Sequence, residues 1–328
     1  MRHRIWIAVL CVGALSAGAR AAGGDDASRQ LQNLVYYPHA GEFRATGQFT
    51  GSLQDSGQTD NDLGVQTASR STSYERATAT LAAGLFGGLR IAASETELFQ
   101  QKIQSTNLMS GVVTNSNSEG FSDPTVTLSE RFRDSRDEGF FLDGSVNATP
   151  HLGRALAAGN GQTGNDLSSG WTAGASLTGY YRWYTGFDRE FPNEFSVSPS
   201  ATRFFGGVAS GASLPSSTLT SSYWSGSVAI EDRLHFNRHW YVQPGVTLYM
   251  PYTYETANQT PGAMDTSHTT QFYAAPSATI GFLPSDWILI DAMIAYSNNT
   301  SNAYPATGSS TSAQTAQTYA ALQVQVAF

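Results

Sequence analysis

Thiol chemistry is almost absent from this chain. Its single cysteine, Cys11, lies in an N-terminal apolar stretch. Arg2 and Arg4 precede that stretch, Ile5 to Leu15 form it, and Ala19-Arg20-Ala21 follows with small residues at the spacing of an export cleavage site. The run is too short to span a bilayer, which needs about 20 apolar residues. Residues 1–21 therefore read as a signal peptide, cut after Ala21 or Ala22, against the alternative of an uncleaved anchor. Leu10 stands where a lipoprotein signal would need a small residue before its cysteine. Once the segment is removed no thiol remains, which excludes disulfides and thiolate metal sites.

Charge is scarce and one-sided. Charged residues make up 13% of the chain, and loss of Arg2, Arg4 and Arg20 leaves 15 basic against 26 acidic residues, a net of −11. Such a surface argues against nucleic acid as a partner. It suits loops that face an aqueous exterior and hold divalent cations weakly. Long hydrophobic runs are missing too. Past the N-terminus nothing approaches the length of a membrane-crossing helix, and the thick Leu, Ile and Val clusters of a soluble core are absent.

Apolar residues instead appear singly, at every second position, among Gly, Ser, Thr, Ala and Tyr. Successive strand residues point to opposite faces, so this alternation fits a sheet with lipid on one side and water or polar side chains on the other. The predicted fold is all-β: an antiparallel up-and-down transmembrane β-barrel over residues 41–328, preceded by residues 22–40 as a short periplasmic leader or plug. Within that leader, residues 27–34 are long enough for one or two helical turns.

Alternation marks about twelve segments, each near the ~9–11 residues that a tilted strand needs to cross a bilayer. They are 42–53, 72–85, 89–103, 123–133, 139–150, 170–184, 194–204, 221–236, 240–253, 269–282, 287–297 and 316–328. The facing of 89–103 is ambiguous, and 194–204 is weak because it holds a proline. Short connections follow the second, fourth, eighth and tenth segments, with a slightly longer one after the sixth. Long polar stretches follow the first, third, fifth, seventh and eleventh, and a shorter one the ninth. Short periplasmic turns, longer outer loops, an even strand count and two periplasmic termini are the layout of outer-membrane barrels.

The last segment ends in Leu322, Val324, Val326 and Phe328 on one face, with Gln323 and Gln325 between them. That reads as a lipid-facing stripe capped by an aromatic at the interface, and as the terminal signal that the barrel-assembly machinery recognises. Trp183, Trp224, Trp240 and Trp287, with Tyr181, Tyr249, Tyr252 and Tyr296, lie near predicted strand ends and are assigned to interfacial girdles.

With the apolar face outward, the inward set holds Arg44, Arg76, Arg131, Asp143, Arg182, Glu231, Arg233 and Asp291. An arginine on the lipid face at the midplane would cost about 2–4 kcal/mol, which favours this placement. Tyr180, Tyr184, Tyr241, Tyr249, Tyr273 and Tyr319 share the inward parity, so some of the girdle set are also lumen candidates. Two readings stand: a constriction that selects small solutes, or charges that pair across a narrow barrel and fill it. Glu130 departs from the pattern by pointing outward.

Catalytic and metal chemistry find little support. His39, His151, His235, His239 and His268 are scattered among loops, turns and strand ends, with no Ser-His context of a hydrolase. Asp60-Asn61-Asp62 reads as a solvated acidic loop rather than a Ca²⁺ site. No cofactor is implied.

Gly120-Phe121-Ser122-Asp123-Pro124, followed by Thr125 to Phe132, resembles the outer-membrane transporters associated with phenol-degradation pathways. In that group a Gly-x-x-Asp element opens a strand ending in a basic–aromatic pair, here Arg131-Phe132, and a strand like Phe141 to Val146 follows; the hairpin around Leu81–Ile91 is similar as well. The resemblance implies uptake of hydrophobic or aromatic small molecules. Barrels of similar type that export polypeptides carry a long coiled-coil segment, whereas only residues 22–40 precede the first strand here. The expected function is passive passage of small solutes across the outer membrane, with membrane lipid, the assembly machinery and the solute as partners. The alternative is a filled interaction barrel working through its outer loops.

Overall fold

The computed structural model describes residues 36–86, 88–135, 138–152, 155–158, 163–166, 170–185, 191–209, 218–258, 265–306 and 308–328. The proposed signal peptide and residues 22–35 of the leader, including the suggested helical turns, lie outside them. Twelve antiparallel strands close on themselves. β1 is Phe43–Asn61, β2 Gln66–Gly84 and β3 Leu89–Asn107. Seven interrupted strands follow: β4 (Val113–Phe121 and Thr125–Arg133), β5 (Gly139–Thr149 and Ala155–Ala158), β6 (Thr163–Asp166 and Thr172–Thr185) and β7 (Phe191–Phe204 and Gly207–Ala209). β8 (Thr218–Thr220 and Tyr223–His235), β9 (Trp240–Tyr249 and Thr253–Asn258) and β10 (Thr266–Thr270 and Tyr273–Ser285) complete that group. β11 is Ile288–Pro305 and β12 Thr311–Ala327. Each strand pairs with its sequence neighbours, and β12 returns to β1 from Arg44↔Ala327 through Asn61↔Thr311. All twelve predicted segments are strands, including the weak one; the ladder from β7 to β6 skips Ser198 and Pro199, where proline has no amide to give.

Strand length is where structure and expectation differ. The long polar stretches read as outer loops are largely strand: β1 and β2 run on to Asn61 and Gln66, and β11 and β12 to Pro305 and Thr311. Outside the bilayer both faces of a strand meet water, so the alternation that marks a strand in lipid is lost while the ladder continues. The boundary between the two regimes is visible. Bulges at Ser52/Gln54, Glu75/Arg76 and Leu98/Gln101, and the interruptions in β4 to β10, form a belt around the wall. They sit about one membrane crossing above the end that carries the short turns and both described chain ends. The Ser122-Asp123-Pro124 element is one of these breaks: Gly120 at φ 143° precedes it, and β4 continues on both sides. The expectation that it opens the strand is corrected accordingly.

Local chemistry shapes the tips. Asn61 Oδ1 accepts hydrogen bonds from the Leu63 and Val65 amides (3.0 and 2.9 Å), and Gly64 turns the chain at φ 72°. Asn107 does the same for Met109 and Ser110 ahead of Gly111 at φ 68°. In both turns the amide oxygen replaces backbone acceptors that the tight bend removes.

Outward positions carry the apolar surface: Phe43, Phe49, Leu81, Ile91, Leu128, Val146, Leu177, Ile280, Ile294 and Leu322 are all exposed. At the short-turn end aromatics pair along the wall, with Phe43 on Phe328 (5.8 Å), Tyr181 on Trp183 (6.1 Å) and Trp240 on Phe282 (4.5 Å). Phe328 also exchanges backbone hydrogen bonds with Phe43 at 2.7 and 2.9 Å, extending the closing ladder one residue past β12. Tyr249 and Tyr252 do not join a girdle; both belong to a run of rings described below. Across β4 and β5 the two halves of the basic–aromatic motif engage separately. Arg131 meets Asp143 inside, while Phe132 lies over Gly144 outside, where a Cβ would strike its ring.

One glycine shows how tightly the short-turn end is packed. Tyr241 lies against Gly281 so closely that a Cβ there would overlap its ring, and the Tyr241 hydroxyl donates to Asp291. Gly281→Val is expected to lower stability by about 1–3 kcal/mol through overpacking, read as a lower urea midpoint of the barrel in detergent.

Candidate functional site

Side chains on the inward face come from alternate positions of all twelve strands. Among the described residues this face carries Arg44, Arg70, Arg76, Arg90, Arg131, Arg182 and Arg233 against Asp55, Asp143, Glu194, Glu231 and Asp291. The interior thus has more positive than negative charge, although the chain is acidic overall at −8.

The charges divide by height. Most lie at the short-turn end, where the interior is packed. Arg131 Nε and Nη2 donate to Asp143 Oδ1 and Oδ2 at 2.7 and 2.9 Å, the bidentate geometry that gives the strongest ion pairs. Phe141 and Tyr180 pack against each other beside it. Arg182 and Glu194, in register on β6 and β7, are 1% and 0% exposed, with Nε and Oε1 3.9 Å apart. Arg182 also lies over the Tyr184 ring, 5.0 Å from its centroid. Arg233 donates from Nε to Gln243 Oε1 at 2.8 Å and stacks over Tyr241 at 4.1 Å, with Glu231 one step further up the same face. Asp291 accepts from Tyr241 and from Gln323 and Gln325 of β12, at 3.3 and 3.5 Å for the two amides.

The end of the leader enters this packing. Tyr36, Tyr37 and Pro38 are buried against the inner wall. Tyr36 joins Tyr241, Leu283 and Leu289, with Arg44 over its ring at 5.5 Å. The Tyr37 hydroxyl donates to the Ser129 carbonyl at 2.7 Å, and its ring is faced by Arg90 and Arg131 at 4.9 and 4.7 Å. Burial pushes both phenols up to about 12, so each stays protonated and can donate. Gly84 receives this segment, because a Cβ there would collide with the carbonyls of Pro38 and His39.

Above this packed end the interior opens. A cavity of about 590 Å³ lies near the belt of bulges and is lined by Arg70, Tyr74 and Arg76 of β2, by Tyr319 of β12 two strands along, and by Tyr249 and Tyr273 of β9 and β10 on the far side. Asp55, Leu98 and Gln317 are among the other residues on its sides. Tyr249 and Tyr273 stack at 4.5 Å with their planes 11° apart.

The eight charges singled out in the sequence therefore do not meet in one ring. Arg44, Arg131, Asp143, Arg182, Glu231, Arg233 and Asp291 belong to the packed end, together with Tyr180 and Tyr184. Arg76, Tyr273 and Tyr319 line the cavity. Sequence reading missed Arg70, because residues 54–71 were taken as loop, and Arg90, because the facing of its strand was ambiguous; Tyr74 lay within the predicted segment 72–85 at the parity of Arg76 but was not singled out. Glu194 was missed on the weak seventh segment, although counting alternate positions from Ser196 would have found it. Glu130 keeps its outward parity and is exposed, near the short-turn end of β4 beside a bulge at Arg131/Arg133. The imidazoles of His235 and His239 face the carbonyls of Pro192 and Leu283 at 3.0 and 2.8 Å. His268 Nε2 lies 3.1 Å from Thr256 Oγ1, and His151 lies 3.5 Å from Asp123.

Glu194→Ala would leave Arg182 charged and buried, and is expected to cost about 3–5 kcal/mol of unfolding free energy. Replacing both partners by apolar residues, as Arg182→Met with Glu194→Leu, should recover most of that loss in the same urea titration.

Known structures share this architecture. An outer-membrane channel from Pseudomonas putida F1 superposes with a TM-score of 0.53 at 10% identity, covering 88% of this chain and 96% of that one. The transport unit of the autotransporter AIDA-I from Escherichia coli does so with a TM-score of 0.53 at 12% identity, covering 88% and 90%. No family model and no curated protein matches the sequence. The fold is that of a bacterial outer-membrane β-barrel.

Proposed function

We propose that this barrel is an outer-membrane channel for small hydrophobic or aromatic solutes, closed at its periplasmic end by the leader. The observation that carries the reading is the cavity of about 590 Å³ above the packed end, with four tyrosines on its walls. Stacked phenols offer flat apolar contact together with a polar tip, which suits ring-bearing solutes. Tyr36, Tyr37 and Pro38 fill the space beneath, so passage requires the leader to move. The lowest luminal charges hold that leader and one another, while those facing the cavity meet the solute. On this reading residues 1–21 direct export and are removed, and the strand ending at Phe328 is the segment offered to the assembly machinery. The likeness to a Pseudomonas putida F1 channel agrees with it at the level of fold.

The buried Arg182–Glu194 pair and Phe141 favour a second reading, a filled barrel that works through its outer surface. Planar-bilayer conductance and liposome swelling separate the two. The channel reading expects low conductance for the intact protein and a clear rise on deletion of residues 22–40, with a smaller rise for Gly84→Val, which evicts the leader sterically. A barrel that folds and stays impermeable to ions and small solutes after the deletion would sink the channel reading and leave the filled one.

A further inference from the structure

The rings around the cavity continue outward along the inner wall. Tyr254 stacks on His268 at 4.7 Å, Tyr252 lies 6.2 Å from Tyr254 and 5.1 Å from Tyr223, and Tyr223 stacks on Phe204 at 4.5 Å. These residues come from four adjacent strands, β7 to β10, and Tyr223 and Phe204 are paired in register on the inward face. The break after Tyr249 keeps Tyr252 beside this group although it lies three residues on. The run therefore descends from the outer mouth towards the Tyr249–Tyr273 stack. Cross-strand ring pairs of this kind stabilise a sheet, and here they also give the lumen a continuous aromatic surface.

Across the cavity from that stack is a positive wall. Arg76 is exposed to the lumen, with its Cζ 5.4 Å from the Tyr74 centroid. Arg70 is likewise exposed, its Nε donating to Thr72 Oγ1 at 3.2 Å. Asp55 is the carboxylate among the cavity-lining residues, and it accepts from Gln317 Nε2 at 3.1 Å. Two guanidinium groups thus face one carboxylate that already has an amide partner. Guanidinium groups bind carboxylates through paired N–H donors, more strongly than they bind neutral oxygens.

We propose that the lumen holds an aromatic track ending in a binding site for aromatic carboxylates, the ring on Tyr249 and Tyr273 and the carboxylate on Arg76. This rests on the channel reading above and narrows its solute class. A phenol is protonated at neutral pH, as its pKa near 10 requires, and would use only the ring contacts; a benzoic acid is ionised and would use both. The cavity volume of about 590 Å³ lies in the range of small-molecule sites, roughly 300–1,000 Å³.

The test is equilibrium dialysis of the full folded protein in detergent with three probes: benzoate, cyclohexanecarboxylate and benzyl alcohol. Benzoate should bind tighter than either of the others. Arg76→Gln should weaken benzoate about tenfold, equivalent to about 1.4 kcal/mol, and leave benzyl alcohol unchanged. Tyr249→Ala with Tyr273→Ala should weaken benzoate and benzyl alcohol but not cyclohexanecarboxylate. Equal binding of benzoate and cyclohexanecarboxylate by the unaltered protein overturns the proposal, whether or not the variants fold. So does benzoate affinity that is indifferent to Arg76→Gln in a barrel of normal heat-modified migration. The bilayer measurement distinguishes this failure from failure of the channel reading: solute flux with no benzoate preference removes the site alone, and benzoate binding with an impermeable barrel removes the channel alone.

Discussion

Hydrogen bonding of the backbone across the β1–β12 seam is the constraint on which the rest of this structure depends. In hydrocarbon an unpaired amide or carbonyl costs several kcal/mol, so a sheet that spans the membrane must have no edge. The seam runs without a gap from the Phe43–Phe328 backbone pair to Asn61↔Thr311, apart from one bulge at Ser52/Gln54. Closure then fixes which way every side chain points. With Leu322 and Phe49 facing lipid, Gln323, Gln325 and Arg44 have to face the interior. A barrel of twelve strands encloses more space than its own side chains fill along the whole length, and the two halves of this interior deal with that differently.

At the short-turn end charges are desolvated, and they are compensated to different degrees. The bidentate Arg131–Asp143 pair and the amides of Gln243, Gln323 and Gln325 hold Arg131, Asp143, Arg233 and Asp291 at hydrogen-bond distance, whereas Arg182 and Glu194 approach only to 3.9 Å and Arg182 Nε and Nη1 make no hydrogen bond among the described residues. Desolvating such groups is costly, and the attraction offsets it only where geometry is good and the remaining polar atoms are bonded. Tyr36 and Tyr37 add cation–π contacts to three arginines and a hydrogen bond to the wall. Near the belt of bulges the guanidinium groups of Arg70 and Arg76 stay exposed, and tyrosines rather than carboxylates stand opposite them. A hydrated arginine carries no desolvation cost and keeps its donors available.

The correspondence between sequence and architecture is close wherever lipid acts on one face. Phe43, Ala45, Gly47 and Phe49 against Arg44, Thr46 and Gln48 could be read directly, and so could the stripe from Leu322 to Phe328. The same reading failed at Gln66 to Ser71, which is as much a strand as the residues below it. There water wets both faces, so selection for apolar residues at alternate positions disappears and a strand looks like a polar loop. The Asp123-Pro124 element shows a related limit. Its composition announces a break in the chain, but the same residues suit a strand entry or an interruption, and only the pairing of β4 with β3 on both sides separates them.

What the amino-acid sequence determined by itself was the class of solvent on each face, and with it the strand count, the alternation and the inward parity of Arg44, Arg76, Arg131, Asp143, Arg182, Glu231, Arg233 and Asp291. Those follow from local chemistry, since period-two patterning against lipid needs no knowledge of distant residues. Height along the barrel and proximity across it were decided only by the tertiary structure. Arg76 and Arg131 have the same parity, yet one is wet and the other is locked to Asp143. Strand tilt and register set that difference, and they arise from closing the whole sheet rather than from any one segment.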